Sequence, residues 1–256
     1  MDRERFQKAC ELVIGKERER AGIGTYGEKT LHAVLKHYLE PDASCHEVKT
    51  GGFVADIYRE SGIIEIQTRS FNTLRRKLAA FLEVSTVTVA YPVARTKWLT
   101  WLDRETGEVT KKRKSPKTGS PCEAFYELYK IKQLLTHPNL RLLILMLDIE
   151  ETRNLDGWSE DKKKGSSRYE RIPVDIIEEI CINSIADYIK LIPHNLPGEF
   201  TTKDFRKASG LSLSTAQTAL NVLYSVGAVT RVGKSGNTYL YNIDRTLRAT
   251  ETTINS

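Results

Sequence analysis

The spacing of apolar residues changes several times along the chain, and each change predicts a different element. Apolar positions recur at helical spacing within 3–21 and again from Tyr26 to Leu39, which predicts two helices. The period then falls to two, in segments that are separated by short turns rich in glycine. These segments predict three strands: Cys45–Thr50, Phe53–Arg59 and Ile63–Thr68.

The segments that follow predict further helices and strands. Ser70 is positioned to cap a helix over 71–82, and Pro92 is expected to stop the next strand, Ser85–Tyr91. Residues 150–171 are polar and charged, which predicts a mobile loop or a hairpin tip. The other predicted elements are a basic hairpin over 96–117, a helix over 122–135, and strands over 140–149 and Pro173–Ile182, followed by a helix at Ser184–Ile192.

A second pattern begins after a linker at Pro193–Gly198. A short helix is capped by Thr201 and Thr202, and a turn through Gly210 leads to a longer helix at Ser214–Val226. Two strands then enclose a basic, glycine-rich tip: Val229–Val232 and Thr238–Asn242. This order is similar to a winged helix-turn-helix domain, a resemblance that implies contact with DNA or, in the alternative, with another protein.

Composition narrows the class of protein. The chain has 256 residues, of which 40% are hydrophobic and 28% charged, as expected of one large or two ordinary folded domains. Its longest apolar runs are far shorter than the ~20 residues of a membrane span, and its charged first residues do not resemble a signal peptide. A cytoplasmic protein without a membrane partner is therefore expected, and association with the nucleoid stays open. The net charge of +6 favours polyanionic partners only mildly.

Two acidic residues in the second and third strands carry the most specific chemical signal. If Glu60 and Ser61 form a two-residue turn, paired positions place Asp56 directly opposite Glu65, with Gln67 on the same face. A three-residue turn would put the two acids on opposite faces. Facing carboxylates repel each other unless a cation offsets their charge, and Mg²⁺ prefers one or two carboxylates with water and phosphate oxygens.

The order of helix, three strands, helix and strand, with Asp, eight residues and then Glu-x-Gln, resembles the PD-(D/E)XK nuclease superfamily, the restriction-endonuclease-like fold. The resemblance implies an α/β fold with a mixed central sheet flanked by helices, and a bound Mg²⁺ or Mn²⁺. It also implies catalytic roles for four residues and metal binding by Asp56, Glu65 and the Ile66 carbonyl. The four are Glu28, Asp56, Glu65 and Gln67, with Gln67 positioning the attacking water.

This sequence departs from the commoner family pattern at Gln67, where most members have lysine. A glutamine carries no positive charge, so Lys49, Arg69 or Lys77 has to supply it, or activity is reduced or lost. His32 lies one helical turn after Glu28, a position from which it could touch the edge of the site, but a packing or surface histidine is expected.

Further residues are candidates for contact with nucleic acid. They are polar residues of the predicted recognition helix and basic residues of the wing, of the hairpin and of the cleft. These candidates are Lys49, Arg69, Lys77, Lys111, Lys112, Arg113, Lys114, Ser214, Thr215, Gln217, Thr218, Asn221, Arg231 and Lys234.

Together these features predict a metal-dependent DNA endonuclease with a winged helix for substrate binding. Two alternatives stay open: a non-catalytic DNA-binding or regulatory protein on a degenerate nuclease scaffold, and a winged-helix module that binds protein. A homodimer is also open, since cutting both strands often uses two sites. The predicted organisation is an N-terminal helix over 1–22, a nuclease-like domain over 23–195, a winged helix over 198–246 and a disordered tail over 247–256.

Overall fold

The structure, a computed structural model, describes residues 1–20, 29–156 and 167–243. Glu28 and the tail over 247–256 lie outside these ranges. The helices are α1 (Arg3–Arg20), α2 (Lys29–Leu39), α3 (Arg75–Leu82), α4 (Phe125–Leu128), α5 (Thr202–Ser209) and α6 (Leu213–Val226). Short 3-10 segments occupy Ala43–Cys45, Phe71–Leu74, Pro121–Ala124, Tyr129–Leu134 and Ala186–Leu191. None of the helices in these ranges combines the length and apolarity needed to cross a membrane.

The fold is mixed α/β, as predicted, and is built on a seven-stranded sheet in the order β1-β2-β3-β4-β6-β7, with β5 paired to β4. Strand β4 runs parallel to β3 and to β6, and the other neighbours are antiparallel. The strands are β1 (His46–Thr50), β2 (Phe53–Arg59), β3 (Gly62–Ile66), β4 (Val87–Leu102), β5 (Arg113–Lys114), β6 (Leu140–Asn154) and β7 (Arg168–Ile182).

Helices cover both faces of the sheet. On β6, Ile144 packs in the hydrophobic cluster that contains α3 and α4, whereas the next residue, Leu145, packs in the cluster that contains α1 and α2. Because successive strand residues point to opposite faces, burial of both faces accounts for the unbroken apolar run of this strand. Four apolar residues at helical spacing within 71–82 are all buried: Phe71, Leu74, Leu78 and Phe81.

The prediction that Pro92 ends its strand is wrong, because β4 continues to Leu102. The carbonyls of Thr86 and Ala90 accept hydrogen bonds from β3 and from Gln67 just beyond it. Main-chain groups alternate in direction along a strand, so those of Pro92 point to the same side as those of Ala90. At Pro92 this side lies beyond the end of β3 at Ile66. A proline is tolerated there because the amide hydrogen that it lacks would have had no strand partner.

Of the two alternatives predicted for residues 150–171, a mobile loop and a hairpin tip, the structure has the hairpin, because β6 and β7 pair antiparallel. The strands extend further into this segment than predicted, since β6 continues to Asn154 and β7 begins at Arg168. The charged side chains that suggested a loop pair with one another on the sheet. For example, the Arg153 guanidinium lies 2.6 Å from the buried Glu151 carboxylate.

The last described residues form a small three-stranded sheet and two helices. The strands, in the order β8-β10-β9, are β8 (Glu199–Phe200), β9 (Val229–Ser235) and β10 (Thr238–Ile243). Helix α5 begins with a capping box between Thr201 and Asp204, and α6 ends at Gly227 in the left-handed conformation. The buried face of α6 shares one hydrophobic cluster with Phe125 and Leu128 of α4. This C-terminal unit therefore packs directly on the part of the chain that contains the seven-stranded sheet.

Candidate active site

The hairpin between β2 and β3 has the register that was predicted from its two-residue turn. Arg59 pairs with Gly62, Tyr58 with Ile63, and Ile57 with Ile64. Gly62 has a φ of 132°, and a Cβ atom at this position would lie 2.5 Å from the Thr86 carbonyl oxygen. Only glycine fits this close approach, which fixes the turn and therefore the register that follows it.

Beyond the pair Ile57 and Ile64, hydrogen bonds to the two acidic side chains replace the next main-chain hydrogen bonds between the strands. The Asp56 amide donates a hydrogen bond to Glu65 Oε1 at 3.1 Å, and the Ile66 amide donates one to Asp56 Oδ2 at 2.8 Å. Each carboxylate is thus held by the main chain beside the other acid. The side chains are largely withdrawn from solvent, with exposed fractions of 21% for Asp56 and 3% for Glu65.

Two helices each bring one basic side chain to this pair of acids. His32 on α2 places its Nε2 atom 3.2 Å from Asp56 Oδ2. Lys77 on α3 places its Nζ atom 2.5 Å from Glu65 Oε2. His32 therefore contacts the site, the alternative to the expected packing or surface histidine. Of the three candidate cations, Lys77 is the one that reaches Glu65. The sequence signal for His32 was its position four residues after Glu28.

The environment separates the two carboxyl groups in acidity. Burial, and then repulsion from Asp56, raise the pKa of Glu65 to about 7 from an ordinary value of 4.5. Burial also opposes ionisation of Asp56, but the hydrogen bond and charge of His32, the Ile66 amide and Lys77 together lower its pKa. One acid is therefore ionised at neutral pH, and its neighbour titrates close to neutrality.

The pair lies in an open pocket of about 430 Å³ that also includes Gln67, Arg69 and Thr73. The Gln67 side-chain amide donates to the Ser70 carbonyl at 2.7 Å and to Thr73 Oγ1 at 3.2 Å. Its donors are thus engaged by the turn before α3, which leaves its oxygen to accept a hydrogen bond. Lys49 is exposed on β1 and is not among the residues that line this pocket.

The described residues contain no group of three or more His, Cys, Asp or Glu side chains arranged to hold a metal ion. Two carboxylates do face each other, and the Ile66 main chain borders the same pocket. The third predicted acid, Glu28, lies outside the described residues.

Comparison with known sequences places this site within a family. Residues 29–183 match the family described as Domain of unknown function (DUF8091). The chain belongs to this family. The matched range includes His32, Asp56, Glu65, Gln67 and Lys77, whereas the C-terminal unit lies beyond it.

A relative from Treponema pallidum (strain Nichols), described as an uncharacterized protein, is 35% identical over 150 residues. That match covers 58% of this chain and 57% of the relative, so it spans less than two thirds of either protein. No solved structure matches the chain at a significant level.

The basic hairpin of the DUF8091 domain extends from the long strand β4. Its four predicted contact residues, Lys111 to Lys114, are exposed. Lys112 forms an ion pair with Glu150 at 2.6 Å, and the Arg113 guanidinium lies 4.5 Å from the Trp101 ring centroid. These contacts hold part of the hairpin against the sheet of the DUF8091 domain.

The five candidate residues of α6 are exposed or half-buried: Ser214, Thr215, Gln217, Thr218 and Asn221. Asn221 is engaged with the DUF8091 domain, because its amide oxygen accepts a hydrogen bond from Lys132 at 3.0 Å. On β9, the Arg231 guanidinium lies 4.3 Å from the Tyr224 ring centroid and 4.0 Å from that of Tyr239. The ammonium of Lys234 lies 5.2 Å from the Tyr239 centroid, so β9 presents basic groups that lie against aromatic rings.

Proposed function

We propose that this member of the DUF8091 family is a metal-dependent deoxyribonuclease that hydrolyses phosphodiester bonds. The observation that carries the proposal is the pairing of Asp56 and Glu65 across the β2–β3 hairpin, in an open pocket beside Lys77. The arrangement of α2, three antiparallel strands, α3 and a parallel fourth strand supports a restriction-endonuclease-like domain. A C-terminal winged helix would hold the DNA.

The residues in the pocket fit a hard divalent cation. Asp56, Glu65 and the Ile66 carbonyl would hold Mg²⁺ or Mn²⁺, because such ions prefer carboxylate and carbonyl oxygens. When bound, the ion supplies Lewis-acid stabilisation of phosphate charge and acidifies water. Glu65 has to give up its proton before it can bind a cation, and its pKa near 7 makes that step accessible at physiological pH.

The remaining side chains of the pocket have separate roles in this proposal. Lys77 supplies the positive charge that Gln67 lacks, and stabilises negative charge that develops on the scissile phosphate. Gln67 accepts a hydrogen bond from the attacking water through its side-chain oxygen and so orients it. His32 holds the Asp56 carboxylate in its ionised form, and Glu28 assists as a further acid.

A second candidate function is non-catalytic DNA binding. It is favoured by the contacts of Asp56 with His32 and of Glu65 with Lys77, which give both carboxylates a partner within the chain itself. Under this alternative the two acids form a structural centre, and binding to DNA is indifferent to Mg²⁺.

The experiment that tests the proposal is cleavage of duplex, branched and single-stranded DNA with Mg²⁺ or Mn²⁺. Asp56→Asn and Glu65→Gln are suitable variants because they remove charge while they preserve shape. Glu60→Gln, in the exposed turn of the same hairpin, is the matched control.

Metal-dependent cutting that is lost in both site variants, and retained in Glu60→Gln, supports the proposal. Circular dichroism and thermal unfolding establish that each variant is folded. If the folded wild-type protein binds DNA equally with and without metal, and cuts none of these substrates, the non-catalytic function replaces it.

A further inference from the structure

A second pocket, of about 380 Å³, lies between the DUF8091 domain and the C-terminal unit. One side is formed by β4 and β7, which contribute Lys97, Arg168 and Arg171. The other side is formed by the first residues of α6, where Ser212 and Thr215 carry hydroxyl groups. Neither unit alone forms this pocket.

Cations outnumber anions in its lining. Four basic side chains, Lys97, Lys117, Arg168 and Arg171, face two acidic ones, Glu123 and Glu151. Both acids are already engaged within the chain. Glu123 lies 2.8 Å from the Lys117 ammonium, and Glu151 lies 2.6 Å from the guanidinium of Arg153 and 3.6 Å from that of Arg168.

Lys97 distinguishes this pocket from an ordinary charged surface. Within the described part of the chain, its ammonium makes no hydrogen bond or ion pair of its own. Burial lowers its pKa, because removal from water penalises the charged form. A bound anion would reverse this penalty, so the pocket is suited to a negatively charged ligand.

Tyr126 narrows the choice of anion. It lies in the lining of the same pocket and is 57% exposed, although the Lys130 ammonium lies 4.6 Å from its ring centroid and so occupies part of one face. An exposed aromatic ring beside several cations is the combination that binds a phosphate together with its attached base. Hydroxyl donors such as those of Ser212 and Thr215 commonly contact phosphate oxygens.

The pocket adjoins the candidate active site through Arg171. The guanidinium of this residue donates a hydrogen bond of 2.8 Å to the carbonyl of Thr68, which lines the pocket that contains Asp56 and Glu65. Arg171, which lines this pocket, therefore contacts a residue that lines the other, so the two pockets are neighbours on the molecule.

We infer that the pocket between the two units binds a backbone phosphate of the nucleic-acid strand that occupies the candidate active site. The inference rests on the proposed function, which it deepens: the strand is held jointly by Lys97 of the DUF8091 domain and by the start of α6. The predicted recognition helix then contributes its first turn to a phosphate near the site of cutting.

The test is the affinity of the full-length chain for fluorescein-labelled DNA, measured by anisotropy in EDTA at several salt concentrations. Lys97→Met is expected to weaken binding roughly tenfold at 0.1 M salt and to reduce the salt slope by about 1, the effect of losing one phosphate contact. Thr215→Val, which keeps the side-chain shape, is expected to weaken binding about threefold. Lys8→Met removes the same charge from an exposed position on α1, a helix that does not line this pocket, and is expected to bind as the wild type does.

The outcomes separate this inference from the proposed function, because EDTA excludes cleavage. Weaker binding by Lys97→Met supports the pocket even if no substrate is ever cut. Unchanged binding by folded Lys97→Met overturns it, even if Asp56→Asn abolishes cleavage. A free phosphorylated ligand is the other source of the same chemistry. Thermal stabilisation of the wild type but not of Lys97→Met by inorganic phosphate or AMP, with DNA binding unchanged, assigns the pocket to such a ligand and overturns the inference.

Discussion

Asp56 and Glu65 bind across the β2–β3 hairpin through the main chain, with Glu65 accepting from the Asp56 amide and Asp56 accepting from the amide of Ile66. Two carboxylates that would otherwise repel are thereby fixed next to each other. The arrangement makes the protonation state of each acid depend on the other, and this dependence can be measured.

The pKa of Glu65 predicts a specific dependence of stability on pH in the metal-free protein. Between the ordinary value of 4.5 and about 7, the folded state retains a proton that the unfolded state has released. Stability contributed by this group is therefore complete at low pH and declines as pH rises through 7. Glu65→Gln keeps the neutral form at every pH, and we expect it to raise the free energy of unfolding at pH 8 by about 1–3 kcal/mol.

The measurement is urea unfolding in EDTA at pH 4.5, 6 and 8, with Asp56→Asn as the matched comparison. The pKa of Asp56 is lowered, so its contribution has the opposite sign: it is present above the ordinary value and is lost as pH falls through the folded value. Asp56→Asn should therefore destabilise the protein at pH 8. Equal pH profiles for the two variants would contradict the distinction between the acids.

Lys77 should be essential for cleavage but not for metal binding. Its ammonium is the basic group beside Glu65, and loss of preorganised charge at a reacting phosphate reduces rates by about 100-fold or more. We expect the rate of cleavage by Lys77→Met to fall by at least this factor. Calorimetry should show Mg²⁺ binding that is unchanged or tighter, because Glu65 has lost its competing partner. Arg76→Met, an exposed neighbour on α3, is the control. Loss of Mg²⁺ binding in folded Lys77→Met would assign that lysine a structural role.

Gly62 should tolerate no side chain. In Gly62→Ala the new methyl group meets the Thr86 carbonyl at a distance that cannot be accommodated without movement of β4, in a backbone conformation unfavourable to alanine. We expect a loss of about 2–4 kcal/mol in the free energy of unfolding. Gly107→Ala has the unfavourable conformation but open space around it, and should lose only about 1 kcal/mol. Urea unfolding compares the two, and similar losses would show that the close approach is unimportant.

Arg231 should not be replaceable by lysine. Its planar guanidinium lies against Tyr224 on α6 and Tyr239 on β10, and lysine retains the charge without the flat surface. We expect Arg231→Lys to weaken DNA binding about 2- to 10-fold with an unchanged salt slope. Arg206→Lys, at an exposed position on α5, should bind normally. Salt titrations by anisotropy measure the affinity of both variants, and normal affinity in Arg231→Lys would show that the planar guanidinium does not contribute to DNA binding.

Local features of the sequence were sufficient for most elements and for the pairing of the two acids. The hairpin register follows from a two-residue turn and from Gly62, and alternation alone then places Asp56 opposite Glu65. Such relationships lie within about ten residues along the chain, where turn geometry leaves few alternatives. The caps at Ser70 and Thr201 are local for the same reason.

Tertiary packing decided the relationships between distant segments. The sequence left Lys49, Arg69 and Lys77 as equal candidates, and only the packing of α3 on the sheet brings Lys77 to Glu65. Likewise, the docking of α2 brings His32 to Asp56.

Pro92 lies within a strand only because β3 is short, and the pocket at Lys97 exists only because α6 packs beside β4 and β7. The approach of one element to another depends on the shapes of both buried surfaces, and a pattern read along one segment does not contain that information.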